Sequence, residues 1–184
     1  AGYNVIGELY NSQATQARIL TELGDSLNKL LKTNDSLIVY FAGHGVTEEK
    51  SKLGIIEGYL VPTDGKIEGE DYINCIPMSN IKDFIKRYKN KQILFIFDSC
   101  YSGLMIDEKN NDNLSKKIIG NEVRYIMTAG AKNEEAMESD GQGFFTKYII
   151  DGLNGNADRN NDDINTVTEI SNYVKPRVQR DAKQ

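Results

Sequence analysis

Two apolar runs constrain this chain more than any other feature. Ser36-Leu37-Ile38-Val39-Tyr40-Phe41-Ala42 and Ile93-Leu94-Phe95-Ile96-Phe97 are nearly unbroken in apolar character and rich in β-branched and aromatic residues. A strand with one face in water alternates. A run without alternation is buried on both faces, as in a parallel sheet covered by helices.

The covering helices are legible too. Over 14–31, Ala17, Leu20, Leu23, Leu27, Leu30 and Leu31 recur at three- and four-residue spacing, with a start at Ser12 or Thr15 and an interruption at Gly24. Over 78–88, Met78, Ile81, Phe84, Ile85 and Tyr88 make one stripe, and Lys86-Arg87 suits a helix C-terminus. Residues 123–129 read as a third internal strand and 144–153 as a helix. Residues 167–178 read as a final amphipathic helix interrupted near Pro176. Val5-Ile6 with Leu9 reads as a short opening strand, and Tyr59-Leu60-Val61-Pro62 as a short strand or extended edge. Residues 63–71 and 131–143 read as polar loops. Strands alternate with helices, so the expected fold is a mostly parallel α/β sandwich.

A chain of 184 residues suffices for one core, and no repeat or second core is visible. With 22 basic and 27 acidic residues the net charge is −5, which gives no general reason to bind nucleic acid. No apolar run approaches the ~20 residues a bilayer requires, and no secretory leader pattern is present. The expected setting is therefore soluble and cytoplasmic, without a membrane or nucleic-acid partner. Cys75 and Cys100 do not make a disulfide scaffold. His44 is the only histidine, so a closed structural zinc site of the usual composition is unavailable.

Parallel α/β sheets place ligands beyond the carboxyl ends of their strands. The first apolar run delivers His44 within Gly43-His44-Gly45, and the second delivers Cys100 after Asp98-Ser99. Each has a plainer reading, Cys100 as a small buried hydrophobe and His44 as a satisfied surface or core residue. Together they suit nucleophilic catalysis. A free thiol with pKa about 8.5 is mostly protonated at neutrality, and an imidazole can take its proton and return it to a leaving amine. The backbone N–H groups of Gly45 and Cys100 would serve a tetrahedral oxyanion. Other chemistries lack their signatures: the residue six beyond Cys100 is Ile106 rather than Arg, and neither a P-loop nor a complete dinucleotide fingerprint occurs.

Tyr40-Phe41-Ala42-Gly43-His44-Gly45 and Asp98-Ser99-Cys100-Tyr101-Ser102-Gly103 resemble the histidine and cysteine motifs of the caspase-like cysteine peptidases, nearest to the metacaspase and bacterial orthocaspase branch. His44 and Cys100 stand 56 positions apart, against about 50 in caspases. Asn11-Ser12-Gln13-Ala14-Thr15, Leu60-Val61-Pro62-Thr63-Asp64, Thr128-Ala129-Gly130 and Gly143-Phe144-Phe145-Thr146 extend the resemblance over nearly the whole chain. Ala42 stands where some relatives carry Ser, and Tyr101 where many carry His.

The resemblance implies a caspase-like three-layer sandwich and a Cys100–His44 dyad that hydrolyses peptides through a thioester. It implies one catalytic domain over 1–184, with a large-subunit-like part at 1–106, an exposed linker at 107–122 and a small-subunit-like part at 123–184. The family's usual first strand and helix are missing ahead of residue 1, so an associated N-terminal fragment carrying that strand is an expected partner. Cleavage after Arg or Lys is implied, with Asp98 lining the pocket, Asp140 as a further pocket residue, and Met127-Thr128-Ala129 running beside the substrate as an edge. A substrate with a basic P1 residue is the other expected partner. Lys109, Lys116 and Lys117 are candidate self-cleavage points. The chemistry requires no cofactor. Calcium is a candidate for activation or stability, since Asp158, Asn160, Asp162 and Glu169 occupy positions 1, 3, 5 and 12 of a calcium-loop spacing, although position 6 is Asp163 rather than Gly. A solvated loop or helix-capping cluster is the alternative there. The alternatives to a peptidase are a catalytically silent caspase-like module and a hydrolase of non-peptide acyl groups.

Overall fold

The two apolar runs lie side by side. The computed structural model describes residues 3–48, 57–90, 92–99, 114–119, 122–129, 138–139 and 142–181. In chain order the strands are β1 (Ser36–Ala42), β2 (His44–Glu48), β3 (Glu57–Val61), β4 (Lys66–Glu68), β5 (Asp71–Ile73), β6 (Ile76–Pro77), β7 (Gln92–Asp98), β8 (Leu114–Ile119), β9 (Glu122–Thr128), β10 (Glu138–Ser139) and β11 (Gln142–Gly143). The main sheet has the order β1-β7-β9-β8. β7 is parallel to β1 and to β9, while β8 returns antiparallel along β9. β2, β3 and β6 form a smaller antiparallel sheet, and the pairs β4–β5 and β10–β11 are antiparallel ribbons. The result is an α/β sandwich with a mostly parallel sheet.

β7 explains the layering. Its five residues from Ile93 to Phe97 are all buried. Ile93, Phe95 and Phe97 point into one core with Leu37, Leu60, Ile76 and the helices α1 (Gln16–Thr21), α2 (Leu27–Leu30) and α3 (Met78–Arg87). Leu94 and Ile96 point into the other with Met127, Phe145, Tyr148, Ile149, Ile170 and Val174, under α4 (Phe144–Asp151) and α5 (Val167–Asp181). The period-2 geometry of a strand thus divides one apolar run between two cores.

Coverage is unequal. On the face that α4 and α5 cover over β7 and β9, β1 still presents Ile38 at 38% and Tyr40 at 48% exposure. β1 is also the edge strand of the main sheet among the described residues.

The opposite, amino-terminal end of the sheet is fastened by polar groups. Arg124, only 2% exposed, leaves β9 to donate to the carbonyls of Tyr88 (2.7 Å), Asn90 (2.6 Å) and Ile85 (3.3 Å). The buried Asn90 donates to the carbonyls of Lys32 (2.6 Å) and Asp35 (3.2 Å). A cation at the end of α3 also complements the helix's exposed carbonyls. Two turns, α2 to β1 and α3 to β7, are thereby joined through one arginine and one asparagine.

Several expectations change. The Val5–Leu9 strand does not form; Val5 and Ile6 are exposed, and among the described residues no strand pairs with them. The first helix passes through a π-type stretch at Glu22–Ser26, where a Cβ added at Gly24 would lie 3.4 Å from the Phe84 ring. β2 forms immediately beyond the exit from β1, and the segments read as loops at 63–71 and 131–143 contribute short paired strands. Pro176 sits inside α5 without ending it, because Val174 before it and Val178 after it both pack against the core. Within the stretch expected to be an exposed linker, Leu114–Ile119 forms β8, paired with β9 from Leu114 opposite Met127 to Ile119 opposite Glu122. Its Lys-Lys pair reads locally as solvated, and backbone pairing with the strand that follows overrides that reading.

Candidate active site

The carboxyl ends of β1 and β7 meet in register, with Ala42 opposite Asp98, and the Gly43 N–H donates to the Asp98 carbonyl at 3.1 Å. On the other side the Ala129 N–H donates to the Phe97 carbonyl at 3.0 Å. At Gly43 the chain leaves the main sheet for the smaller one. A Cβ there would come within 3.0 Å of the Phe41 ring, which would have to shift to make room. His44 is the first residue of β2, exposed, opposite Val61; Gly45 is buried opposite Leu60. In sequence, His44 lies two positions beyond the last residue of β1 and Cys100 two beyond the last of β7. Cys100 itself lies outside the described residues, as do Asp140 and Lys109. The other thiol, Cys75, is free and buried, and burial pushes it up, away from the thiolate a nucleophile needs.

Asp98 occupies the end of β7 on the α4 side. The Thr146 hydroxyl, in the first turn of α4, donates to Asp98 Oδ2. Thr146 Oγ1 in turn lies 2.6 Å from the Tyr40 hydroxyl. A carboxylate only accepts, so the Thr146 proton points to Asp98 and Tyr40 is the donor to Thr146. Burial holds the Tyr40 phenol up, the Thr146 contact partly opposes this, and the Asp98 charge adds to the rise, so it keeps its proton. Gly143, the N-cap of α4, offers no capping side chain, and a Cβ there would sit 2.7 Å from Asp98 Oδ2. Asp98 therefore packs directly against glycine backbone. Neither Tyr40 nor Thr146 stood out in the sequence as a site residue. Both look like ordinary strand and helix positions until the fold brings them together.

The expected substrate edge lies at the carboxyl end of β9. Met127 and Thr128 lie on β9, paired with β7 on one side, and Met127 is paired with β8 on the other. Thr128 is fully buried, and the Ala129 N–H is already used within the sheet. β8 flanks Met127 on the side away from β7, and Thr128 and Ala129 lie beyond the described β8 pairing. Lys116 and Lys117 stand in β8 opposite Tyr125 and Arg124. A peptidase binds its substrate as an unpaired extended strand, so cutting there requires β8 to separate from β9.

The calcium-loop residues serve their own turn. Asp158 accepts from the N–H of Asn161 and of Asp163, Asp162 accepts from Ile164, and Asn160 accepts from Asp162. Glu169 and Thr166 form a reciprocal capping box at the start of α5. Those Thr166 hydrogen bonds hold the Glu169 carboxyl below its ordinary range. Among the described residues, no group of three or more His, Cys, Asp or Glu is arranged to hold a metal ion. No described helix is long and apolar enough to cross a membrane.

An α/β sandwich carrying a histidine and an acidic residue at the carboxyl ends of adjacent parallel strands defines a class of site, one that works on a ligand above the sheet. A family model described as the caspase domain matches residues 1–184, and the chain belongs to that family of cysteine peptidases. It is also similar to Metacaspase-7 of Arabidopsis thaliana, 33% identical over 103 residues. That match covers 53% of this chain and 23% of the relative, so this chain spans about a quarter of that protein's length.

Proposed function

We propose that the chain is a cysteine endopeptidase that cuts after Arg or Lys, with Cys100 as nucleophile and His44 as its base. What carries the reading is the register of β1 with β7, which brings the exits toward His44 and Cys100 to the same end of neighbouring strands. His44 takes the thiol proton, and the sulfur attacks the scissile carbonyl carbon. The backbone N–H groups of Gly45 and Cys100 receive the negative charge on oxygen. As the C–N bond breaks, the imidazolium returns the proton to the amine. Water, deprotonated by the same imidazole, then opens the thioester and regenerates the thiol. Asp98 supplies the charge that selects a basic side chain at P1.

The specificity reading is tested with fluorogenic peptides carrying Arg, Lys, Asp or Ala at P1, each with and without calcium. Turnover is expected for Arg and Lys only. Asp98→Asn, which keeps shape and removes charge, is expected to lower kcat/KM for both by about a hundredfold. Preference for Asp, or an unchanged Arg rate in Asp98→Asn, rejects the specificity. No turnover of any peptide, in either calcium condition, favours a silent binding module.

A strand-bearing N-terminal fragment is proposed as a partner for β1. The support is the edge of β1, unpaired among the described residues, and the exposed pair Ile38 and Tyr40, since a buried-type strand leaves unpaired backbone and apolar surface when its edge is open. Hydrogen exchange over residues 36–42 tests this. The fragment is expected to slow exchange of those amides at least tenfold, and an unchanged rate rejects it.

A further inference from the structure

We propose that Thr146, held by Tyr40, is a positioning residue for substrate selection: its hydroxyl fixes the Asp98 carboxylate in one orientation, leaving Oδ1 to an incoming cationic side chain. This rests on the reading of Asp98 as the P1 selector.

Three observations converge on the pair. Thr146 donates to Oδ2, and Oδ1 accepts no hydrogen bond among the described residues. The Tyr40 hydroxyl donates into Thr146 Oγ1 at 2.6 Å and thereby commits the threonine proton to Asp98. A Cβ added at Gly143 would stand 2.7 Å from Oδ2 and 3.2 Å from Oδ1, so the carboxylate occupies the space that a side chain there would need. A carboxylate turns freely about its last torsion, whose profile is broad. Guanidinium recognition depends on the plane of the acceptor, because the donors of Arg form a rigid fork. An ammonium is a compact point charge and tolerates rotation. A fixed Asp98 should therefore help Arg more than Lys. The three residues come from the end of β7, the middle of β1 and the first turn of α4, so the orientation is a product of the assembled sandwich.

The test has two arms. In the Cys100→Ala background, binding of agmatine is measured by calorimetry for Asp98→Asn, Thr146→Val, Thr146→Ser, Tyr40→Phe and Gly143→Ala. Thr146→Val is expected to weaken agmatine about tenfold, Tyr40→Phe about threefold, and Thr146→Ser less than twofold. Gly143→Ala, which drives a methyl group into the carboxylate, is expected to weaken it at least as much as Thr146→Val. With Cys100 intact, Thr146→Val is expected to lower the Arg-to-Lys ratio of kcat/KM about fivefold. A general loss of folded protein would not change that ratio. Parent-like agmatine binding and an unchanged ratio in Thr146→Val, with Asp98→Asn unable to bind, overturn the positioning role while the Asp98 reading survives. Agmatine binding that Asp98→Asn does not weaken overturns both.

Discussion

Replacing Cys100 with alanine is expected to lower kcat for Arg-P1 peptides by roughly a thousandfold or more, and replacing His44 with alanine should do nearly the same. The two groups act as one device. Without the imidazole the thiol stays mostly protonated and the leaving amine receives no proton. Without the sulfur there is nothing for the imidazole to activate. The double variant should therefore be no slower than the slower single variant, whereas independent contributions would multiply. A His44→Ala protein that keeps a tenth of its activity would end the dyad assignment. The same variant addresses processing. If Lys109, Lys116 or Lys117 are self-cleavage points, intact-mass spectra should show fragments from the parent chain and a single species from Cys100→Ala. Identical fragmentation in both rejects self-cleavage. Because Lys116 and Lys117 are paired in β8, cutting after either would require β8 to leave β9.

Arg124→Met is expected to cost about 3 kcal/mol of stability. Methionine fills a similar volume, so the loss is mainly polar. The carbonyls of Ile85, Tyr88 and Asn90 each lose a charge-assisted donor in a buried place. For a chain of this length that corresponds to a melting temperature lower by roughly 6–12 °C. Thermal unfolding followed by circular dichroism checks it, and a drop below about 2 °C would show that the carbonyls find other donors. Asn90→Ala should fall in the same direction by a smaller amount, because it severs the link to Lys32 and Asp35 alone. These residues fasten the amino-terminal end of the sheet, away from the end that carries His44 and Asp98.

The residues that sequence pattern located well are those whose environment is set by their own neighbours in the chain. Five apolar residues in β7 could only be buried on both faces, and the stripe Met78, Ile81, Ile85 could only be a helix against a core. Pattern was weaker where an element depends on a partner. Val5 and Ile6 have strand-forming side chains but no strand paired with them among the described residues, whereas Leu114–Ile119 has an unpromising Lys-Lys centre and a partner in β9. Arg124 carried a faint signal, a charge within an apolar run, which is uncommon unless the charge is satisfied indoors. Thr146 carried only its place in the segment Gly143-Phe144-Phe145-Thr146, with no sign of its partners.

The chain's local chemistry determined the layers, the two strand exits and the residue types waiting beyond them, since burial periodicity and turn glycines are properties of a few adjacent residues. Tertiary structure alone decided that Tyr40, 106 positions from Thr146, and Asp98, 48 positions from it, share one line of hydrogen bonds. Strand order and register arise when distant segments close on one another, and no short stretch of sequence contains that contact.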